Sequence, residues 1–259
     1  MKDKKSDGRV TKVFFVFICI LGFFFVALTS LPASTVGLFL PKEKLSLELF
    51  HGTIWNGGAM RSSIRTSQGP FKLGHLEWTL SPVSWLAMSP KIRFQTNWGG
   101  QSFSGIWKIG FSKRMELIDS RGLIDVSVLN RLFPLSVDGI LEWDLDNFFY
   151  SFEDKLIGGE GRLEWRGAKT FVDGRAFPLG SYSADLVQVS KEKTTIELLT
   201  VKGPVSITGI LSIDQGGYSA DLELDGLQEV DTDEVAFRFL QLVPIVDGVH
   251  KIKLVAAFP

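Results

Sequence analysis

From Leu45 onward the chain alternates apolar and polar residues, and that period of two limits what it can fold into. Leu45, Leu47 and Leu49 interleave with Ser46 and Glu48. Leu76, Trp78 and Leu80 interleave with Glu77 and Thr79, and Ile92, Phe94, Thr96 and Trp98 with Arg93, Gln95 and Asn97. The odd positions from Val205 to Ile213, the even ones from Tyr218 to Leu224, and Ile252, Leu254, Ala256 and Phe258 repeat the pattern. Strict alternation specifies strands with one buried and one wet face, the signature of an antiparallel sheet. Asn56-Gly57-Gly58, Gly69-Pro70, Gly99-Gly100, Asp138-Gly139, Gly158-Gly159, Asp173-Gly174, Gly216-Gly217 and Asp247-Gly248 read as the turns between strands. Helical signals are confined to Ser81–Met88, Asp125–Phe133 and Asp231–Val243. Three short helices cannot cover the apolar face of about a dozen strands. That face must curl on itself, meet a partner protein, or meet lipid.

The start of the chain is different. Lys2, Lys4, Lys5, Arg9 and Lys12 outnumber Asp3 and Asp7, and no charged residue then occurs from Val13 to Pro41. Val13–Leu31 as a helix spans about 28 Å, close to the hydrocarbon core of a bilayer. A cleaved signal peptide would have an apolar stretch of about 7–15 residues and a small-x-small cleavage site. This run is longer, and Leu31 sits badly at such a site. The expectation is an uncleaved anchor over residues 13–33, a cytoplasmic basic stub over 1–12, a linker over 34–45 and an exported β domain over 46–259. Cys19 lies inside the span as a lipid-facing or packing residue.

The motif Gly-x-Leu-Glu-Trp recurs at Gly74–Trp78, Gly139–Trp143 and Gly161–Trp165, and Tyr-Ser-Ala-Asp-Leu at Tyr182–Leu186 and Tyr218–Leu222. In the first motif Gly should leave a turn, Leu and Trp should share one face, and Glu should point to water. Its irregular spacing excludes a fixed-period solenoid.

Little in the chain suggests bond-breaking chemistry. His51, His75 and His250 are isolated in sequence, and one Cys cannot form an internal disulfide. No metalloprotease, hydrolase or phosphate-loop motif occurs. Lys and Arg total 28 against 29 Asp and Glu, which gives no bulk basic surface for nucleic acid. No metal or cofactor is expected. The Trp residues could stack on sugars or acyl chains, although their phase with Leu favours burial.

The segment Gly52-Thr53-Ile54-Trp55-Asn56-Gly57 is followed by Leu73-Gly74-His75-Leu76-Glu77-Trp78-Thr79-Leu80-Ser81-Pro82, then by Gly209-Ile210-Leu211 with Gly217-Tyr218, and last by Leu240-Gln241-Leu242-Val243 leading to Asp247-Gly248. On these residues, over nearly its whole length, the chain resembles the type II secretion system protein N family. The resemblance implies a non-enzymatic inner-membrane accessory of Gram-negative protein export. Its partners would be other inner-membrane components of that machine, with the C-terminal domain in the periplasm. The fold implied is all-β: a curved or partly closed antiparallel sheet, AsmA-like by analogy, with few short helices after one transmembrane helix. The candidate interaction residues are Gly52, Trp55, Gly57, Gly74, Leu76, Trp78, Trp143 and Trp165. A periplasmic lipid-binding or lipid-transfer groove and a glycan-binding module are the alternative readings.

Overall fold

The computed structural model describes residues 7–41, 43–66, 69–82, 84, 89–109, 114–131, 137–153, 156–172, 175–190, 193–214, 217–225, 245–246 and 249–257. The helix α1 (Asp7–Thr29) comes first. A 3₁₀ turn (Ala33–Thr35) and the short helix α2 (Val36–Phe39) follow. Fourteen strands then form one sheet: β1 (Leu45–Gly52), β2 (Asn56–Thr66), β3 (Gly69–Leu80), β4 (Lys91–Trp98), β5 (Gln101–Ile109), β6 (Arg114–Asp125), β7 (Val137–Ser151), β8 (Leu156–Val172), β9 (Arg175–Ser190), β10 (Lys193–Lys202), β11 (Ser206–Asp214), β12 (Gly217–Asp225), β13 (Ile245–Val246) and β14 (Val249–Ala257).

Strands β1 to β12 pair in chain order, each antiparallel to the next, and the two-residue β13 lies outside β14. Among the described residues β1 pairs only with β2, and its far side does not meet β14. The sheet is therefore open; of the two expected forms, curved or partly closed, the strand order gives no closure. Such a meander joins neighbours in the chain, and Gly99-Gly100 between β4 and β5 is a two-residue connection of the expected kind.

Register converts the sequence alternation into two faces. One unbroken line of paired residues runs from Phe50 and Ala59 through Leu76, Phe103, Trp143, Leu163 and Leu222 to Ile252, crossing thirteen strands without a charged side chain. The line one residue along lies on the other face. It runs from His51 and Gly58 through Glu77, Arg121, Asp144, Arg162, Asp185 and Asp221 to Lys253. Opposite charges that face each other on neighbouring strands attract, and Arg121–Asp144, Arg162–Asp185 and Lys253–Asp221 close to 3.1, 2.6 and 3.2 Å.

Four details depart from the sequence reading. Leu49 adopts φ 56° and is 61% exposed. This left-handed residue reverses the phase of β1, so Leu47 and Phe50 both pack on the core. Asn56-Gly57-Gly58 is not the turn, since Gly57 and Gly58 pair with Gly52 and His51 and the chain reverses over residues 53–55. Asp138-Gly139 and Gly158-Gly159 lie within β7 and β8. The motif glycines Gly74, Gly139 and Gly161 have φ of 74°, 124° and 147° and sit at register shifts inside their strands. Each marks a β-bulge, where a residue with no Cβ is needed, instead of leaving a turn.

Among the expected short helices, Val126–Arg131 is a 3₁₀ helix with the Ser127 amide donating to Asp125 Oδ1 at 2.9 Å. The stretch 231–243 lies outside the described residues, as does most of 81–88. The N-terminal helix begins within the basic stub and stops at Thr29, just before the extended Pro32. Among the described residues no helix is long and apolar enough to cross a membrane, where the sequence reading expects an anchor over residues 13–33.

Two clusters of buried residues stand out among the described residues. Ala33, Ala59, Trp78 and Leu80 gather where β2 and β3 meet the 3₁₀ turn, with Phe50, Trp55 and Leu76 around them. Val205 and Leu224 do so on the later strands, with Phe177, Leu179 and Ile252.

Candidate interaction surface

The candidate residues divide into two groups. The first lies at the joint between α1 and the sheet. Gly52 ends β1 with φ 75°, and a Cβ there would collide with the Asn56 carbonyl. This lets the Thr53 amide donate to Asn56 O at 2.9 Å while the Asn56 amide donates to Thr53 Oγ1 at 3.1 Å. The turn so made presents Trp55 to the helix end, and its indole Nε1 donates to Leu28 O at 2.9 Å. The last carbonyls of a helix have no partner within it. Trp55 supplies one, and the Ile54 amide donates to Leu31 O at 2.9 Å just beyond. Gly57 must be small because a Cβ would lie 2.9 Å from that of Ala33. Trp78 is 6% exposed, meets Phe50 edge-on at 6.4 Å, and donates its Nε1 to Ile54 O at 3.0 Å. Leu76 packs beside it. Gly74 lies farther along β3, where a Cβ would sit 2.7 Å from Trp98 Cβ.

The second group, Trp143 and Trp165, stands on the apolar face at mid-sheet. Trp143 lies flat over Gly122, whose missing Cβ makes room for the ring, and donates to Ser120 Oγ at 3.1 Å. Phe94 and Phe103 extend the row, with centroids 4.8 Å apart and Phe103 5.4 Å from Trp143. Trp165 donates to Asp138 O at 3.2 Å and meets Tyr182 at 6.2 Å. Burial pushes the Tyr182 phenol up to about 12, and its hydroxyl lies 2.8 Å from Leu179 O and 3.1 Å from Val205 O. Leu and Trp of the repeated motif share the apolar face, as read from sequence. Glu142 and Glu164 pair across the polar face, both against Arg166.

No described helix lies over this aromatic row. A shallow apolar groove runs along it, lined by Phe71, Trp98, Phe103, Ile124 and Trp143. The opposite face has its own apolar residues toward the later strands: Val187, Leu199 and Ile210 are exposed by 48, 41 and 50%. Beyond the two-residue contact with β13, the outer edge of β14 has no strand partner among the described residues, and Val255 on it is 87% exposed. An unpaired strand edge offers backbone donors and acceptors to another chain.

Sequence reasoning missed two features. The ion-pair ladder of the polar face is one: Arg162 donates Nε and Nη2 to the two Asp185 oxygens at 2.6 and 2.9 Å, which holds that carboxyl below its ordinary value. Alternation of charge sign across strands signals it only once register is known. The other is the approach of His51 to His75, residues expected to be isolated, with ring centroids 5.5 Å apart.

A family model described as "Type II secretion system (T2SS), protein N" matches residues 43–236. No curated protein and no solved structure matches the chain.

Proposed function

The chain belongs to the type II secretion system protein N family, and from that membership we propose that it is a non-enzymatic inner-membrane scaffold of the secretion machine, with α1 in the bilayer and the sheet in the periplasm. The observation that carries the reading is the amphipathic sheet, which no described helix covers. Its aromatic row, and a strand edge that is unpaired among the described residues beyond β13, give partner proteins both side-chain and backbone contacts. The N-terminal helix supports the topology. Its uncharged part, Val13–Thr29, rises about 26 Å, and Phe14, Phe17, Leu21 and Phe24 are all more than half exposed. An apolar helix with no protein against it is stable in lipid. The basic residues before it favour the cytoplasmic side, and the Trp55 joint then holds the sheet directly against the membrane exit.

The test is affinity capture of the full chain from membranes of the source cell, together with deletion. Recovery of inner-membrane secretion components and loss of secretion are expected. Intact secretion after deletion, with no such component recovered, would overturn the reading.

The groove along Phe71, Trp98, Phe103 and Trp143 favours a second reading, in which the face takes up a lipid acyl chain. Native mass spectrometry of the chain released from detergent would then show retained lipid, and Trp143→Asp would abolish it.

A further inference from the structure

We propose that His51, His75 and Glu77 form a binding site for a divalent transition metal, zinc by preference, that ties β1 to β3 across β2. This stands on the polar face and does not depend on the secretion reading. The three residues offer donor atoms that all lie within 4.8 Å of one another. They come from two strands that do not pair with each other: His51 pairs with Gly58 on β2, and Gly58 pairs with Glu77 on β3. Gly58 makes the approach possible. A Cβ there would lie 2.5 Å from His51 Cε1 and 2.8 Å from its Nε2, so any other residue would push the imidazole away.

One donor is also poorly served by the protein. His75 Nε2 is shielded from solvent and has no hydrogen-bond partner. Its closest acidic atom, Glu77 Oε1, stands at 3.7 Å, too far for a hydrogen bond. Ligand bonds of about 2.0–2.2 Å in a tetrahedron place neighbouring donors about 3.3–3.6 Å apart. The His75–Glu77 pair is already near that separation, and a small torsion of the exposed His51 ring brings the third donor in. Two imidazoles and one carboxylate suit zinc, and leave a fourth position for water or an acidic side chain of a partner. The open concavity beside the triad, about 260 Å³, gives that position access. Arg93 lines the same concavity. Its charge opposes a bare cation and favours an anionic fourth ligand.

The experiment is calorimetric Zn²⁺ titration of the detergent-solubilised full chain, chelator-treated and carrying no polyhistidine tag, with Co²⁺ absorption as a second readout. One ion per chain is expected, with a tetrahedral cobalt spectrum and a metal-dependent rise in melting temperature. His51→Ala and His75→Ala should each weaken binding by roughly tenfold or more. Glu77→Gln, which keeps the side-chain shape, should weaken it as well, and Gly58→Ala should do so by displacing His51. His250→Ala on β14 should leave it unchanged. Absence of saturable uptake would overturn the proposal, and so would uptake unaltered in a folded Glu77→Gln chain and in the His51/His75 double variant.

Discussion

The indole of Trp55 donates to the carbonyl of Leu28 across 2.9 Å, joining the end of the N-terminal helix to the first hairpin of the sheet. A glycine-framed turn thereby becomes a mechanical joint. Ala33, 1% exposed, fills the space beneath it. Helix and sheet should therefore move together.

Trp55→Phe keeps the ring and removes the donor. The loss of one hydrogen bond should cost about 1 kcal/mol. Hydrogen exchange will show it as roughly fivefold faster exchange at the neighbouring Ile54 amide, which donates to Leu31 O. Amides of β10 and β11 should not change.

Gly122→Ala places a methyl group in the Trp143 ring. Overpacking of this kind costs about 1–3 kcal/mol. Denaturant unfolding should report that loss with a blue- or red-shifted Trp143 emission. Gly100→Ala, where nothing lies within 4 Å, is the control and should be close to neutral.

Asp185 is held below its ordinary value by the hydrogen bonds from Arg162. A carboxyl depressed in the folded state contributes stability above its unfolded value, near pH 4, and that contribution is lost as the pH falls through the folded value. Asp185→Asn should therefore be less stable than the parent at neutral pH, and the difference should vanish in acid. Because Arg162 is solvent-exposed, high salt should also shrink it. Melting curves across pH and salt check both.

Tyr182 behaves in the opposite sense. Its folded value, raised to about 12, means that stability is complete below the unfolded value near 10 and is lost as the pH rises toward 12. Tyr182→Phe should remove one late step from the tyrosinate absorbance titration. It should also cost about 1 kcal/mol at neutral pH, by leaving the Leu179 and Val205 carbonyls short of a donor.

Val255→Lys puts charge on the outer edge of β14, where the native side chain is 87% exposed. Charge on an edge strand discourages strand addition. If partners add to this edge, capture of secretion components should fall while the circular dichroism spectrum and melting temperature stay unchanged.

Legibility differed between the two halves of the structure. Every strand named from its alternation is present, and Leu76, Trp143, Leu163 and Leu222 do share one face, because side-chain direction along a strand is a local property. The glycine-bearing motifs are visible in the sequence, but their role is not: Gly74, Gly139 and Gly161 sit at bulges, and a bulge is defined by the neighbouring strand as much as by its own residue. Identical pentapeptides also diverge. Tyr182 is 5% exposed within the sheet, whereas Tyr218 is 41% exposed at the end of a strand.

Sequence alone determined that this chain is an uncharged N-terminal run followed by an antiparallel sheet with one oily and one wet side. Only the tertiary structure decided that the sheet stays open, that Leu49 turns outward, and that His51 reaches His75 over a glycine. Alternation is written in adjacent residues, but edges, phase reversals and meetings between strands depend on pairing partners that adjacent residues do not name.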